Sequence, residues 1–335
     1  MSSSVQADPD IRIIYMGTPE FAVPSLHALV EAGMKPLLVI TQPDRPQGRK
    51  QRLTPPPVKV VAESYGIPVL QPESLLRAEG KALRETVAAL KPDILLTASY
   101  GKLLPEALLK LAAVEALNVH GSLLPRYRGA SPVQQAVING DQTSGITIMR
   151  MVKAMDQGPM FRQEPWTIGP NTTADELMDE LAELAARILP ETLRQIVAGE
   201  LTAVAQDEQQ ATYVSMLDRD SGKIDWNASA EAIHNLVRGT HSWPGAYSYY
   251  QGQRMKILRT QRVDAAEVQA RSERDLDLLV PGEIALHRKG LWVKTGDGVI
   301  YLEAIQPAGK TVQQTKDVSH NYAPGTIFTN EASES

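Results

Sequence analysis

The chain contains no cysteine in its 335 residues, which removes disulfides, thiolate catalysis and Cys-ligated zinc together. Nor does any uninterrupted apolar run approach the roughly 20 residues that a bilayer-spanning helix needs. Residues 1–10 are polar, with neither an apolar secretory core nor the arginines of a mitochondrial presequence. They read as a disordered tail on a cytoplasmic protein. The histidines at positions 27, 120, 234, 241, 287 and 320 show no H-E-x-x-H or comparable ligand spacing, so no metal is expected. Positive charge is not in excess either. The formal net charge of -5 argues mildly against a nucleic-acid partner, because phosphate binding draws on clustered Lys and Arg. A net value conceals local patches, however, and a basic face can sit on an acidic body.

What is present is ordinary for a globular protein with a real core: 43% hydrophobic and 22% charged residues. A chain of this length is expected to form two domains. Ile11 to Met16 reads as a buried strand ended by Gly17. Thr18 then acts as an N-cap and Pro19 as the first residue of a helix that stops at Gly33. Pro36 to Thr41 supplies the next strand. Strand, helix and strand in about thirty residues is a βαβ unit, so an α/β, Rossmann-like, doubly wound parallel sheet is expected. A dinucleotide fingerprint is not met, because Gly17 stands alone and Thr41 and Gln42 replace the acidic residue after the second strand.

Residues 42–57 have no hydrophobic period, several prolines and a basic excess carried by Arg45, Arg49, Lys50 and Arg52. Such a stretch is either a solvated connection or a basic finger for nucleic acid. Helices are expected from Val58 to Tyr65 and Ser74 to Leu90, and strands at Ile67 to Leu70 and Ile94 to Ala98. Ser99-Tyr100-Gly101 reads as a tight turn. Further strands are expected at Gly145 to Met149 and Phe161 to Ile168. A long helix capped by Thr172 or Thr173 follows, kinked at Pro190 and ended by Gly199. Residues 11–199 form the first domain, 200–212 an aperiodic linker rich in Gln and Ala, and 213–335 the second. Five short runs within 246–305 alternate as strands, and a small barrel of the OB-fold type is expected there. Residues 264–279 form a charged insertion. Arg254 and Lys256 begin a basic cluster on that domain.

The stretch most suited to chemistry is Asn118-Val119-His120-Gly121-Ser122-Leu123-Leu124-Pro125-Arg126-Tyr127-Arg128-Gly129. Asn118 and His120 alternate around Val119 at the end of a strand and so share a face. An amide that donates to an oxyanion, beside an imidazole that moves protons near neutral pH, suits acyl chemistry. Asp156, before the turn glycine Gly158, supplies a third polar group.

These residues carry a resemblance. Asn118-x-His120, Ser122 to Pro125, Arg126-x-Arg128-Gly129 and Asp156-x-Gly158 resemble the signature of the formyltransferases that use 10-formyltetrahydrofolate. The likeness is strongest to the branch that acts on initiator methionyl-tRNA, and it runs from about Ile11 to Phe328. Gln157 and Pro159 depart from that pattern. The resemblance implies Asn118, His120 and Asp156 as catalytic residues. It implies Tyr100, Gly101, Ser122, Leu123, Leu124 and Pro125 at the folate. It also implies that the loop bearing Arg45, Arg49, Lys50 and Arg52 meets the tRNA, with Arg49 in the family's key position; Arg254 and Lys256 would add a basic surface. A monomer with no metal and no membrane partner is expected. Two rivals stand beside this reading: a related formyltransferase acting on a nucleotide or sugar-nucleotide amine, and a non-catalytic RNA-binding module.

Overall fold

The structure, a computed structural model, describes residues 11–48, 50–272, 274–286 and 288–331. The polar tail 1–10 and Arg49 lie outside the described residues. Backbone contacts divide the chain into two compact units. The first holds the described residues up to Gly129, with Ser144–Thr167 and Met178–Tyr213; the second holds Ala130–Thr143, Ile168–Leu177 and the remainder from Val214.

In the first unit, strands β1 (Ile13–Gly17), β2 (Leu38–Ile40), β5 (Val69–Leu70), β6 (Ile94–Ala98), β7 (Glu115–His120), β9 (Thr143–Arg150) and β10 (Met160–Thr167) form one sheet. Between them lie β3 (Arg45–Gln47), β4 (Arg52–Thr54) and β8 (Arg128–Gly129). The sheet order is β10-β9-β7-β6-β1-β2-β5. Pairing from β5 to β7 is parallel, as apolar runs buried on both faces require. β9 departs from the all-parallel expectation and runs antiparallel to β7, with His120 opposite Thr147 and Leu117 opposite Arg150. The chain leaves β7 at its carboxyl end and re-enters the sheet from that same end, so its direction reverses.

The strand order turns at β1, with β2 on one side and β6 on the other. In such sheets ligands bind outside the carboxyl ends at this crevice. The backbone is tight there: a Cβ on Gly17 would stand 2.7 Å from Ala22 Cβ and 3.1 Å from the Ala98 carbonyl. Ile14, Met16, Leu38, Ile40, Leu95 and Val87 pack as one buried cluster, each worth about 1.5–3 kcal/mol in removed apolar surface.

Two local expectations, at Thr18 and at Ser74, fail. Thr18 does not cap a helix; its Oγ1 donates to the Tyr100 carbonyl at 3.0 Å, and α1 begins later, at Val23–Glu31 after a 3-10 turn. After α2 (Pro57–Ser64), α3 covers Ala78–Leu90 instead of starting at Ser74. The Ser74 hydroxyl is drawn into accepting the amides of Leu76 and Arg77, while Glu79 takes those of Glu73 and Ser74. The basic loop contains a hairpin, β3 against β4, with Arg45 opposite Thr54 and Gln47 opposite Arg52.

After α4 (Glu106–Leu109) and α5 (Pro132–Ile138), α6 (Ala174–Val197) continues through Pro190. Thr173 and Glu176 form a capping box at its start, and Leu177, Leu181, Leu184 and Leu193 are its buried stripe. Residues Tyr213–Val214 are β11, and α7 spans Ala230–Gly239. The five expected strands of the second unit are present: β12 (Tyr247–Tyr250), β13 (Gln253–Arg262), β14 (Ile284–Leu286), β15 (Leu291–Lys294) and β16 (Val299–Pro307). β17 (Gln313–Gln314) and β18 (Phe328–Thr329) join them in an antiparallel sheet ordered β14-β15-β16-β13-β12-β18, with β17 on β16. Phe328 N donates to the Gly282 carbonyl and Ile284 N to that of Thr326, so β18 also meets the start of β14. Trp226, Ile233, Val237, Ile257, Ile300 and Phe328 fill the core. The charged insertion carries α8 (Ala265–Arg271).

Candidate active site

The carboxyl end of β7 presents Asn118 and His120 on one face, as their spacing requires. A neighbour in β6 sets the amide of Asn118. Thr97 is buried, and its Oγ1 lies 2.8 Å from Asn118 Oδ1 and 3.0 Å from the Leu117 carbonyl. With its oxygen so engaged, the amide directs its NH2 group away from Thr97.

His120 is almost fully buried. Its Nε2 donates to the Tyr127 carbonyl at 3.0 Å, which fixes the ring and leaves Nδ1 on the other side. Tyr127 reaches that position with φ of 61°, in the left-handed region that non-glycine residues avoid. Asp156 approaches from the loop after β9. Its Oδ2 accepts the Gly129 amide at 2.9 Å, and its Oδ1 lies 3.8 Å from His120 Nδ1. That gap exceeds a direct hydrogen bond, so carboxylate and ring face one another without touching. Asp156 is also left-handed, with φ of 53°. Gly158 is dictated by close approach: a Cβ there would fall 1.8 Å from the Arg150 carbonyl.

The Ser122 to Pro125 corner is pinned from β9 and β10. Thr147 Oγ1 donates to the Ser122 carbonyl and accepts from Leu124 N, while Gln163 Nε2 donates to the Leu124 carbonyl. Ser122 is buried and its hydroxyl donates to the Arg126 carbonyl at 2.7 Å. It therefore shapes the corner, where Leu123 and Pro125 are half-buried. Tyr100 is buried in the core of the first unit, and burial pushes its phenol up to about 12. Its hydroxyl has no hydrogen-bond partner. The Tyr100 carbonyl instead joins the turn to the first two strands, accepting from Thr18 Oγ1 and Gln42 Nε2. Gly101 follows with φ of 82°.

Arg128, part of the sequence motif, has no exposed surface. Its Nε and Nη2 donate to Gln206 Oε1, and its Nη1 and Nη2 reach the two Glu208 oxygens at 2.9 and 2.7 Å. The ion pair raises the guanidinium further and holds Glu208 below the usual carboxylate range. Sequence reasoning treated 200–212 as a linker. The segment lies against Arg128 and the 156–160 loop, a placement that only the Gln and Glu side chains within it could have signalled.

Arg45, Lys50 and Arg52 are exposed on the β3–β4 hairpin, and Arg45 pairs with Glu73 at 3.3 Å. The hairpin's base is clamped, with Asp44 accepting from Lys59 Nζ at 2.9 Å and Gln71 Nε2 at 2.7 Å. These bonds hold the Asp44 carboxyl below its ordinary range. In the second unit Arg254 and Lys256 project from one face of β13, and the Arg254 guanidinium lies 3.8 Å from the Tyr247 ring centre. Among the described residues no helix is long and apolar enough to cross a membrane, and no group of three or more His, Asp or Glu is placed to hold a metal ion.

This chain belongs to the formyl transferase family: residues 11–193 match the family itself and residues 216–323 its C-terminal domain. Within the family it is 40% identical over 318 residues to the methionyl-tRNA formyltransferase of Alkaliphilus metalliredigens, covering 95% of this chain and 96% of that one. The fold is also that of WlaRD, a sugar 3N-formyl transferase solved in the presence of dTDP and 5-N-formyl-THF. That likeness has a TM-score of 0.63 at 18% identity, over 90% of this chain and 99% of the other. HypX from Aquifex aeolicus, solved in complex with tetrahydrofolic acid, matches with a TM-score of 0.58 at 16% identity over 92% of this chain. The present chain spans about half of HypX, 47%.

Proposed function

We propose that this protein transfers the formyl group of 10-formyltetrahydrofolate to the α-amino group of methionine on initiator methionyl-tRNA, giving N-formylmethionyl-tRNA for translation initiation in the cytoplasm. The convergence of Asn118, His120 and Asp156 at the carboxyl end of β7 carries this reading, and relatives named for that acceptor support it. The free amine attacks the formyl carbon and places negative charge on the formyl oxygen. Collapse breaks the bond from carbon to N10, and the proton lost by the amine ends on N10. Asn118 donates its NH2 to the oxyanion, an interaction whose loss costs roughly 10²–10³ in rate. His120 has Nε2 committed to Tyr127, so Nδ1 is the nitrogen that takes and returns the proton. The Asp156 carboxylate across the 3.8 Å gap stabilises the ring when it becomes charged, directly or through one water.

Leu123, Leu124 and Pro125, with the Tyr100–Gly101 turn across the crevice, wall the folate. Residues 11–199 carry catalysis, 200–212 connect, and 213–335 form an OB-fold-like barrel that binds tRNA. The two-sided pairing of β18 with β12 and with the start of β14 supports the barrel. The hairpin with Arg45, Lys50 and Arg52, Arg49 of the same basic stretch, and the Arg254–Lys256 face meet the phosphates of a monomeric enzyme's single tRNA. The test is direct: protein, 10-formyltetrahydrofolate and charged initiator tRNA should yield formylmethionine. Formylation of an amino-sugar nucleotide instead, with none on tRNA, would overturn the reading.

A further inference from the structure

The two family matches end at 193 and resume at 216, and the segment between them is tied to the catalytic loops along its length. Val204 and Met160 exchange both backbone hydrogen bonds at 2.8 Å. Thr212 accepts the Tyr127 amide on its hydroxyl and the Arg128 amide on its carbonyl. Between these points Gln206, nearly buried, uses every hydrogen-bonding position of its amide. Oε1 accepts from Arg128 Nε at 3.0 Å and Nη2 at 2.8 Å. Nε2 donates to the Asp156 carbonyl at 2.8 Å and the Gly158 carbonyl at 2.7 Å.

We propose that Gln206 is a positioning residue for Asp156, resting on the reading of Asp156 as a catalytic residue. A side-chain amide can turn end for end; two donors from one guanidinium on its oxygen permit only the orientation that presents NH2 to the 156–158 loop. Arg128 is itself fixed by Glu208 and by Tyr213. The loop needs such a hold, because Asp156 sits left-handed with φ of 53°, a conformation that relaxes unless its surroundings impose it. Gln206 grips the carbonyls on either side of Gln157, and Gly129 grips Oδ2. Together they direct Oδ1 at His120.

Gln206→Glu separates the two halves of this role. It retains an acceptor for Arg128, and so the strap, but loses the NH2 that holds the loop. The expected result is a kcat lower by about 10- to 100-fold, the scale of a small misplacement of a catalytic group. KM for both substrates should stay near wild type, while the melting temperature falls because a carboxylate oxygen then faces the two carbonyls. Introduced into Asp156→Asn, the same change should have almost no further effect, because the group it positions is already disabled. A near-normal kcat in Gln206→Glu, or an undiminished loss in the Asp156→Asn background, would overturn the proposal. Gln206→Met serves in the same cycle if Gln206→Glu shows no cooperative melt; failure of both to fold would make Gln206 a residue of the fold alone and equally overturn it. Near-normal turnover by Asp156→Asn itself would instead reject the catalytic reading beneath.

Discussion

Thr97 Oγ1 stands 2.8 Å from Asn118 Oδ1, and in the proposed mechanism this contact turns the NH2 end of the amide towards the reacting carbonyl. Without it the amide can present its oxygen to a developing negative charge, which repels where it should attract. Thr97→Val keeps the β-branched shape and removes the hydroxyl. A net hydrogen bond of about 0.5–1.5 kcal/mol translates into a kcat roughly 2- to 13-fold lower. Steady-state kinetics should find KM for folate unchanged and Thr97→Ser close to wild type.

The hairpin of residues 45–54 makes a separate prediction. Arg45 and Arg52 are exposed, and the Arg45–Glu73 pair is exposed too, so their removal should leave the fold intact. The double variant Arg45→Ala/Arg52→Ala should raise KM for tRNA about tenfold and flatten its dependence on salt. KM for the folate donor should not move. A selective rise in folate KM would place the hairpin at the wrong substrate.

Arg49, just outside the described residues, extends the same logic. Arg49→Ala should weaken use of tRNA far more than folate binding, measured by comparing tRNA KM with equilibrium folate affinity.

His234 gives the second unit a pH dependence. Burial holds its imidazole below the ordinary 6.5, and Arg238 and Arg262 add to this, while the Pro170 carbonyl and Glu231 oppose it. Thr260 also faces the ring through Nδ1. The unfolded chain takes a proton on this ring at higher pH than the folded chain does. Stability is therefore fully present above the unfolded pKa and is lost as pH falls towards the folded one. Melting temperature should decline as pH drops below 6.5, and His234→Asn should decline less steeply. Equal slopes for the two would remove His234 from the account.

Much of this was legible in the sequence where one physical signal dominated. Apolar runs such as Ile94 to Ala98 could only be buried strands, and the alternation of Val299 to Ile305 could only be a half-covered one. That Asn118 and His120 share a face was readable from their alternation at a strand end, and the turn at Asp156 from Gly158. Thr97 and Gln206 were not, since each acts on a partner 21 or 50 residues away and neither interrupts a pattern. Thr18 was misread for the same reason: its local setting favours a cap, but the Tyr100 carbonyl 82 residues on takes the hydroxyl. The β3–β4 hairpin carries no apolar alternation, because both strands are largely exposed.

The most direct test is the single-turnover rate of formyl transfer to initiator methionyl-tRNA in Asn118→Ala, His120→Ala and Asp156→Ala, with tRNA affinity measured alongside. Each rate should fall by about 10²-fold or more while tRNA still binds as tightly as to the parent protein. Rates near the parent's in all three would contradict the assignment of chemistry to the end of β7.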